Sequence, residues 1–195
     1  GEGGMALTND SQLAVDMELF RSHGITRDPS LMTHEMDGPW YYQQISLGLN
    51  YRMTDLQAAL GVSQMSRLDK YVERRHLLSQ RYCELLKDFP LVLPWQHSDS
   101  YSGYHLFVIR LKLDKISKNH LQVFEGLRER GIGVNLHYIP VHTHPYYAKM
   151  GFSSEDFPEA MKYYSEAISL PLFQSMSYEQ QDEVVAALQF TLNIE

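Results

Sequence analysis

The helical signal that begins at Thr54 constrains this chain most. Thr54-x-x-Gln57 has the form of a capping box, in which side chains at both ends satisfy backbone donors that a helix start leaves open. Apolar positions follow at Leu56, Leu60, Leu68 and Val72 and continue to Leu85 and Leu86. The pattern predicts one long helix, ended by Pro90 and Pro94 around the short apolar run 91–93. Gly61 costs that helix about 1 kcal/mol relative to alanine, so close packing is expected there. The helix divides the chain into three expected parts: residues 1–53, the connecting helix 54–90 and a C-terminal region 91–195.

The two flanks differ in character. Before the helix, Met5, Ala6 and Leu7 form a short apolar stretch that reads as a strand. A helix from Asp10 or Ser11 to Ser22 follows, with Leu13, Met17 and Phe20 on one face and Gly24 as its C-cap. Residues 25–48 carry no period but hold Pro29, Gly38, Pro39 and Trp40-Tyr41-Tyr42. A loop of that length is functional or disordered, and three adjacent aromatics argue for order. After the helix, residues 104–111 and 132–138 read as strands, with amphipathic helices at 117–130 and 177–192. Strand, helix, strand and a closing helix predict a small α/β layer with helices packed on a sheet.

Bulk properties exclude several function classes. The 195 residues carry a net charge of −7 with no block of like charge, so nucleic-acid binding is not indicated. Arg74, Arg75 and Arg81 lie in a helical pattern with Glu73 and Glu84 and read as a solvated face. Cys83 stands alone, which rules out an intrachain disulfide; it reads as a buried helix residue and fits a reducing compartment. No apolar run approaches the ~20 residues that span a bilayer, and no secretory signal opens the chain. An opening of Gly1-Glu2-Gly3-Gly4 without an initiator methionine predicts either a tag remnant or a piece of a longer chain.

Four segments, in this order, carry a resemblance: Gly1-Glu2-Gly3-Gly4; Leu49-Asn50-Tyr51-Arg52-Met53-Thr54-Asp55-Leu56-Gln57-Ala58-Ala59-Leu60-Gly61; His137-Tyr138-Ile139-Pro140 followed by Pro145-Tyr146-Tyr147; and Ser169-Leu170-Pro171-Leu172. Together they resemble the DegT/DnrJ/EryC1/StrS sugar aminotransferases, which are α/β proteins of fold type I that use pyridoxal 5′-phosphate (PLP). The resemblance implies the C-terminal portion of that fold: the end of the large domain with an interface loop, the connecting helix and a small α/β domain. It also implies that the lysine bonding the cofactor lies just upstream of Gly1, so the chain alone would be inactive and holds no catalytic residue. The segments Arg21-Ser22-His23-Gly24-Ile25-Thr26-Arg27-Asp28-Pro29 and Asp37-Gly38-Pro39-Trp40-Tyr41-Tyr42 look like the branch that aminates C4 of a UDP-linked 4-keto-6-deoxy-N-acetylhexosamine, with glutamate as donor, on the way to pseudaminic acid. The family implies a cytoplasmic homodimer with shared active sites.

On that resemblance, Asn50 reaches an active site, typically the neighbouring subunit's. Its amide can donate to a phosphate or sugar oxygen, and the alternative is an asparagine holding a turn. Arg52 offers a guanidinium fork for the cofactor phosphate, the donor's carboxylate or an interface acid. Asn135, Leu136, His137 and Tyr138 are expected to close over the sugar nucleotide. His23, Trp40 and Tyr41, with Tyr42, either line the substrate mouth or anchor the loop by burying rings of ~150–250 Å² each.

Other chemistries do not fit. His137, His142 and His144 supply three imidazoles, but Pro140 and Pro145 interrupt any regular element and no carboxylate or cysteine follows at ligand spacing, so no metal is expected. Gly1-x-Gly3-Gly4 lacks a preceding strand and a correctly placed third glycine, and no nucleophile elbow occurs. Lys70, Lys87, Lys112 and Lys115 read as surface lysines. Two alternatives stay open: an aminotransferase for a GDP- or dTDP-linked 4-keto sugar, and a non-catalytic dimerisation or sugar-nucleotide-binding module.

Overall fold

A computed structural model describes residues 4–194 and divides the chain into two compact units, residues 1–66 and 67–195. The Gly1-Glu2-Gly3 part of the opening motif lies outside the described residues.

In the first unit, helix α1 (Ser11–Arg21) starts where the Asp10 carboxylate accepts from the amides of Gln12 and Leu13. It ends as Gly24, at φ 66°, donates its amide to Leu19 O at 2.7 Å. Residues 5–7 form no strand, and Met5 and Leu7 are exposed, a correction that follows from there being no strand partner for them among the described residues. Strands β1 (Ile25–Thr26) and β2 (Gln43–Gln44) pair antiparallel and close the long loop. Helix α2 (Asp55–Met65) opens with the expected capping box: Thr54 Oγ1 accepts from Gln57 N at 3.3 Å and Gln57 Oε1 accepts from Thr54 N at 3.0 Å.

The helical run expected over 54–90 is two helices. Ser66 turns its amide back to Val62 O and Gln64 O, and its hydroxyl donates to Ser63 O at 2.9 Å. These local bonds tighten the last turn and end α2 before α3 (Leu68–Leu85) begins. A Cβ on Gly61 would meet nothing within 4 Å, so the expected close contact is absent among the described residues.

The second unit holds the core. Strands β3 (Leu91–Val92), β4 (Phe107–Leu111) and later β5 (Ala167–Leu170) form an antiparallel sheet in the order β3-β4-β5. Between β4 and β5 lie α4 (His120–Glu129), capped by Asn119, the short α5 (Pro145–Ala148) and α6 (Pro158–Glu166); α7 (Tyr178–Leu192) closes the chain behind a Ser177/Gln180 capping box. Alternate residues of β4, Phe107, Ile109 and Leu111, are buried in one cluster with Leu78 and Tyr82 of α3, Leu86 at its C-cap, Val123 and Leu127 of α4, and Val184 and Leu188 of α7.

Two further expectations change. Residues 132–138 form no strand and make one backbone bridge to the sheet edge, where Asn135 and Ser169 exchange hydrogen bonds at 3.3 and 2.8 Å. A continued antiparallel ladder would next need Ala167 O, but that carbonyl accepts from His120 Nε2 at 2.8 Å. The basic residues of α3 are not a simple solvated face. Arg74 donates to Met176 O at 2.8 Å, Arg81 pairs with Asp182 at 2.7 Å, and both guanidinium groups lie over the Tyr178 ring at 4.7 and 4.9 Å. Cys83 is half-buried at the edge of the core, and burial raises its thiol pKa.

Candidate active site

The candidate residues fall into one cluster in each unit. In the first unit the segment around Asn50 is stitched by its backbone to the end of α1. Leu49 N donates to Phe20 O at 2.6 Å, His23 N to Leu49 O at 2.9 Å and Tyr51 N to Arg21 O at 2.9 Å, so Asn50 pairs antiparallel with Ser22. The backbones approach closely here. A Cβ on Gly48 would collide with Gly24 N and the His23 backbone, and one on Gly24 would collide with Ser46 O. His23 itself sits at φ 64°, a conformation that side chains seldom adopt. Residues 20–24 and 48–51 thus form one fixed seat that brings His23 and Asn50 together and leaves Asn50 and Arg52 exposed.

The loop carrying Trp40 and Tyr41 is held by polar groups rather than by its rings. Gln43 is 7% exposed; its Oε1 accepts from Thr33 N at 2.8 Å and its Nε2 donates to His34 O at 3.3 Å. Trp40 is 72% exposed with its ring beside Gly38, while Tyr41 is half-buried and bonds through its hydroxyl to His34 Nε2. Burial of three rings therefore does not order this loop; Gln43 does. Trp40 and Tyr42 are largely exposed, with the Arg27 guanidinium over the Tyr42 ring at 6.0 Å.

In the second unit, residues 135–138 are held to β5 and α6. Beyond the Asn135–Ser169 backbone pair, His137 Nδ1 lies 2.8 Å from Ser169 Oγ and Tyr163 OH donates to His137 O at 3.4 Å. Leu136 N donates to the Asn135 side chain at 2.8 Å. The His137–Tyr138 peptide is cis, and the two rings meet edge to face at 4.6 Å. His137 and Leu136 are half-buried; Asn135 and Tyr138 are exposed, Tyr138 by 69%. Burial raises the Tyr163 pKa, against the opposing pull of Arg110, which is bound to Glu166 at 3.4 Å.

His142 and His144 do not join His137. His142 packs its ring on Phe157 at 4.5 Å and His144 is exposed, and among the described residues no group of three His, Cys, Asp or Glu could hold a metal. The sequence reading missed Ser169 and Tyr163 as partners of His137. Ser169 was visible in Ser169-Leu170-Pro171-Leu172, but not its partner 32 residues away.

The cofactor implied by the resemblance can be tested against these residues. Arg52 and Asn50 are exposed and two residues apart, a guanidinium and an amide suited to a phosphate. The lysines do not suit covalent attachment. Lys87 is ion-paired with Glu84, which raises its pKa, Lys118 donates to Thr191 O at 2.7 Å, and Lys70 and Lys115 are exposed. Asn50 and Arg52 thus carry groups that suit a phosphate chemically, and none of these lysines is placed for a reactive amine.

Comparison with known proteins gives the same direction. A family model described as "DegT/DnrJ/EryC1/StrS aminotransferase family" matches residues 1–189. The chain is 39% identical over 191 residues to the spore coat polysaccharide biosynthesis protein SpsC of Bacillus subtilis, covering 96% of this chain and 49% of SpsC. Its fold is similar to that of Helicobacter pylori PseC, an aminotransferase involved in the biosynthesis of pseudoaminic acid, with a TM-score of 0.83 and 26% identity over 95% of this chain and 47% of PseC. It is also similar in fold to the putative sugar aminotransferase Spr1654 of Streptococcus pneumoniae, solved in PLP and PMP forms, with TM-scores of 0.80 and 0.82 at 23% and 22% identity; each match covers 95% of this chain, and 45% and 44% of Spr1654 respectively. The chain spans about half the length of the relatives it matches.

Proposed function

Because the chain belongs to the DegT/DnrJ/EryC1/StrS aminotransferase family, we propose that it supplies the C-terminal portion of an enzyme that moves an amino group from glutamate to C4 of a UDP-linked 4-keto-6-deoxy-N-acetylhexosamine. Aminotransferases of this family depend on PLP, and the fold is that of the fold-type-I enzymes. The observation that carries the substrate reading is the likeness to PseC over 95% of the chain, together with the loop residues 21–29 and 37–42.

Bound PLP supplies an electron sink for the carbon that gives or takes the amino group. This chain's residues bind and orient. Arg52 and Asn50 offer donors for the cofactor phosphate, and Asn50 also for a sugar oxygen. Asn135, Leu136, His137 and Tyr138 face the nucleotide sugar, and His23, Trp40 and Tyr41 line its approach. On this reading the lysine that bonds the cofactor comes from sequence beyond these 195 residues, a reading supported by the chain spanning about half the length of its relatives.

A homodimer with shared sites is part of this reading. No apolar side chain of the first unit is buried among its described residues, while Leu56, Val62 and Met65 of α2 are 86, 73 and 67% exposed. Ordering that backbone costs about 1–2 kcal/mol per residue, a cost that apolar burial against further protein would offset. A partner subunit and the remainder of the polypeptide are the proposed cover. A cytoplasmic setting accords with the free thiol of Cys83. Among the described residues no helix is long and apolar enough to cross a membrane.

A second reading keeps the chemistry and changes the sugar. It is favoured by the 39% identity to SpsC, whose name ties it to spore-coat polysaccharide. The test is turnover by the full-length protein with glutamate and UDP-, GDP- or dTDP-linked 4-keto sugars. Preference for the UDP-linked substrate supports the first reading and preference for another nucleotide the second. Absence of turnover with all three, in a folded PLP-bound protein, would leave only a non-catalytic binding module.

A further inference from the structure

The Ser169 hydroxyl is a buried polar group bonded to one of the candidate residues, His137. Ser169 is 5% exposed and sits in β5, paired with Val108 on one side and Asn135 on the other. Both of its backbone groups facing Asn135 are used, so its backbone fixes where residues 135–137 run. Among the described residues its side chain has one partner, His137 Nδ1, at 2.8 Å. His137 Nε2 has no such partner among them, and the ring is only half-buried.

Hydrogen-bond accounting then selects a tautomer. A hydroxyl has one proton to give, and a buried donor left without an acceptor costs about 1–3 kcal/mol. Were Nδ1 to carry the ring proton, Ser169 would accept it and its own O–H would have nowhere to point among the described residues. If Ser169 donates to Nδ1, both groups are satisfied and the ring proton must sit on Nε2. Tyr163, donating to His137 O, fixes the same residue from the α6 side.

We infer that Ser169 is a positioning residue: its hydroxyl holds His137 as the Nε2–H tautomer, so that the imidazole meets the nucleotide sugar as a fixed hydrogen-bond donor to a hydroxyl or phosphate oxygen. This rests on the proposed role of His137 as a ligand contact, but the tautomer can be read without any ligand. Ser169 acts on substrate through His137 and does not itself touch it.

The experiment uses the full-length protein with ¹⁵N-labelled histidine. Long-range ¹H–¹⁵N spectra are recorded at a pH about two units above the ordinary imidazole value of about 6.5. His137 should show a protonated Nε2 and a pyridine-like Nδ1. In Ser169→Ala the ring should become a mixture of tautomers, and Ser169→Thr, which keeps the hydroxyl, should restore the wild-type pattern. With the nucleotide sugar, Ser169→Ala should raise KM about tenfold, the value of one hydrogen bond, with kcat within about twofold. Its effect should vanish in a His137→Ala background. An Nδ1–H tautomer in the wild type overturns the inference even if no variant folds, as does a KM effect of Ser169→Ala that persists without His137. Should His137→Ala leave KM unchanged while the Nε2–H tautomer is found, the ligand role of His137 fails and the Ser169–His137 relationship stands.

Discussion

Gln181, which has no solvent exposure, donates its side-chain amide to the carbonyl of Leu78 at 2.7 Å, joining α7 to α3 inside the core. Its Oε1 also accepts from Arg81 at 3.2 Å. Gln181→Ala removes both bonds and opens a cavity. Unfolding in urea should show a loss of about 2–3 kcal/mol. A change below about 0.5 kcal/mol would mean that the two helices do not depend on this amide.

Tyr178 receives two guanidinium groups on its ring, from Arg74 and Arg81. At a partly exposed site each contact contributes about 0.5–1 kcal/mol. Tyr178→Leu should therefore lower stability by about 1 kcal/mol, and Tyr178→Phe, which keeps the ring, should be close to neutral. Equal losses in both variants would assign the effect to the hydroxyl.

Tyr82 is fully buried and its hydroxyl donates to Pro171 O at 3.1 Å, which ties α3 to the Ser169-Leu170-Pro171-Leu172 segment. Burial pushes its pKa up, against a smaller opposing effect of Arg81. The folded protein therefore keeps a proton that the unfolded chain releases above pH of about 10. The stabilisation is fully present below that pH and is lost as pH rises beyond it. Tyr82→Phe should cost about 1 kcal/mol at neutral pH, and its deficit should shrink above pH of about 10. A deficit that grows with pH would contradict the sign.

These three contacts also mark what the sequence could and could not reveal. Helices α1, α2 and α7 were legible because their start signals are local: Asp10, Thr54 with Gln57, and the polar turn at Ser177. The arginines of α3 were misread because their partners, Met176, Tyr178 and Asp182, lie about a hundred residues away. Strand β5 was not identified because all four of its residues are buried, which removes the alternation that marks a half-exposed strand. Residues 132–138 alternate like a strand but have only one ladder position open to them, at Ser169. At the candidate site the residues were nameable from motifs, while the seat of Asn50 on α1 and the hold of Ser169 on His137 join residues far apart in the sequence, where no local pattern marks the pair.

The seat of Asn50 predicts a separation of activity from core stability. Gly48→Ala forces a methyl group into the backbone at His23 and Gly24, yet every buried apolar residue of the core lies in the second unit. In the full-length protein the variant should lose aminotransferase activity by at least about tenfold and keep the urea transition of the second unit. Wild-type activity would show that the seat does not matter to the site.

The account is tested most directly by following the cofactor's absorbance in the full-length, PLP-loaded protein. Glutamate should convert the pyridoxal spectrum to that of the amino form, and the UDP-linked 4-keto-6-deoxy-N-acetylhexosamine should return it, with Asn50→Ala and His137→Ala weakening the second change. A folded, PLP-bound protein whose spectrum responds to neither compound would contradict it.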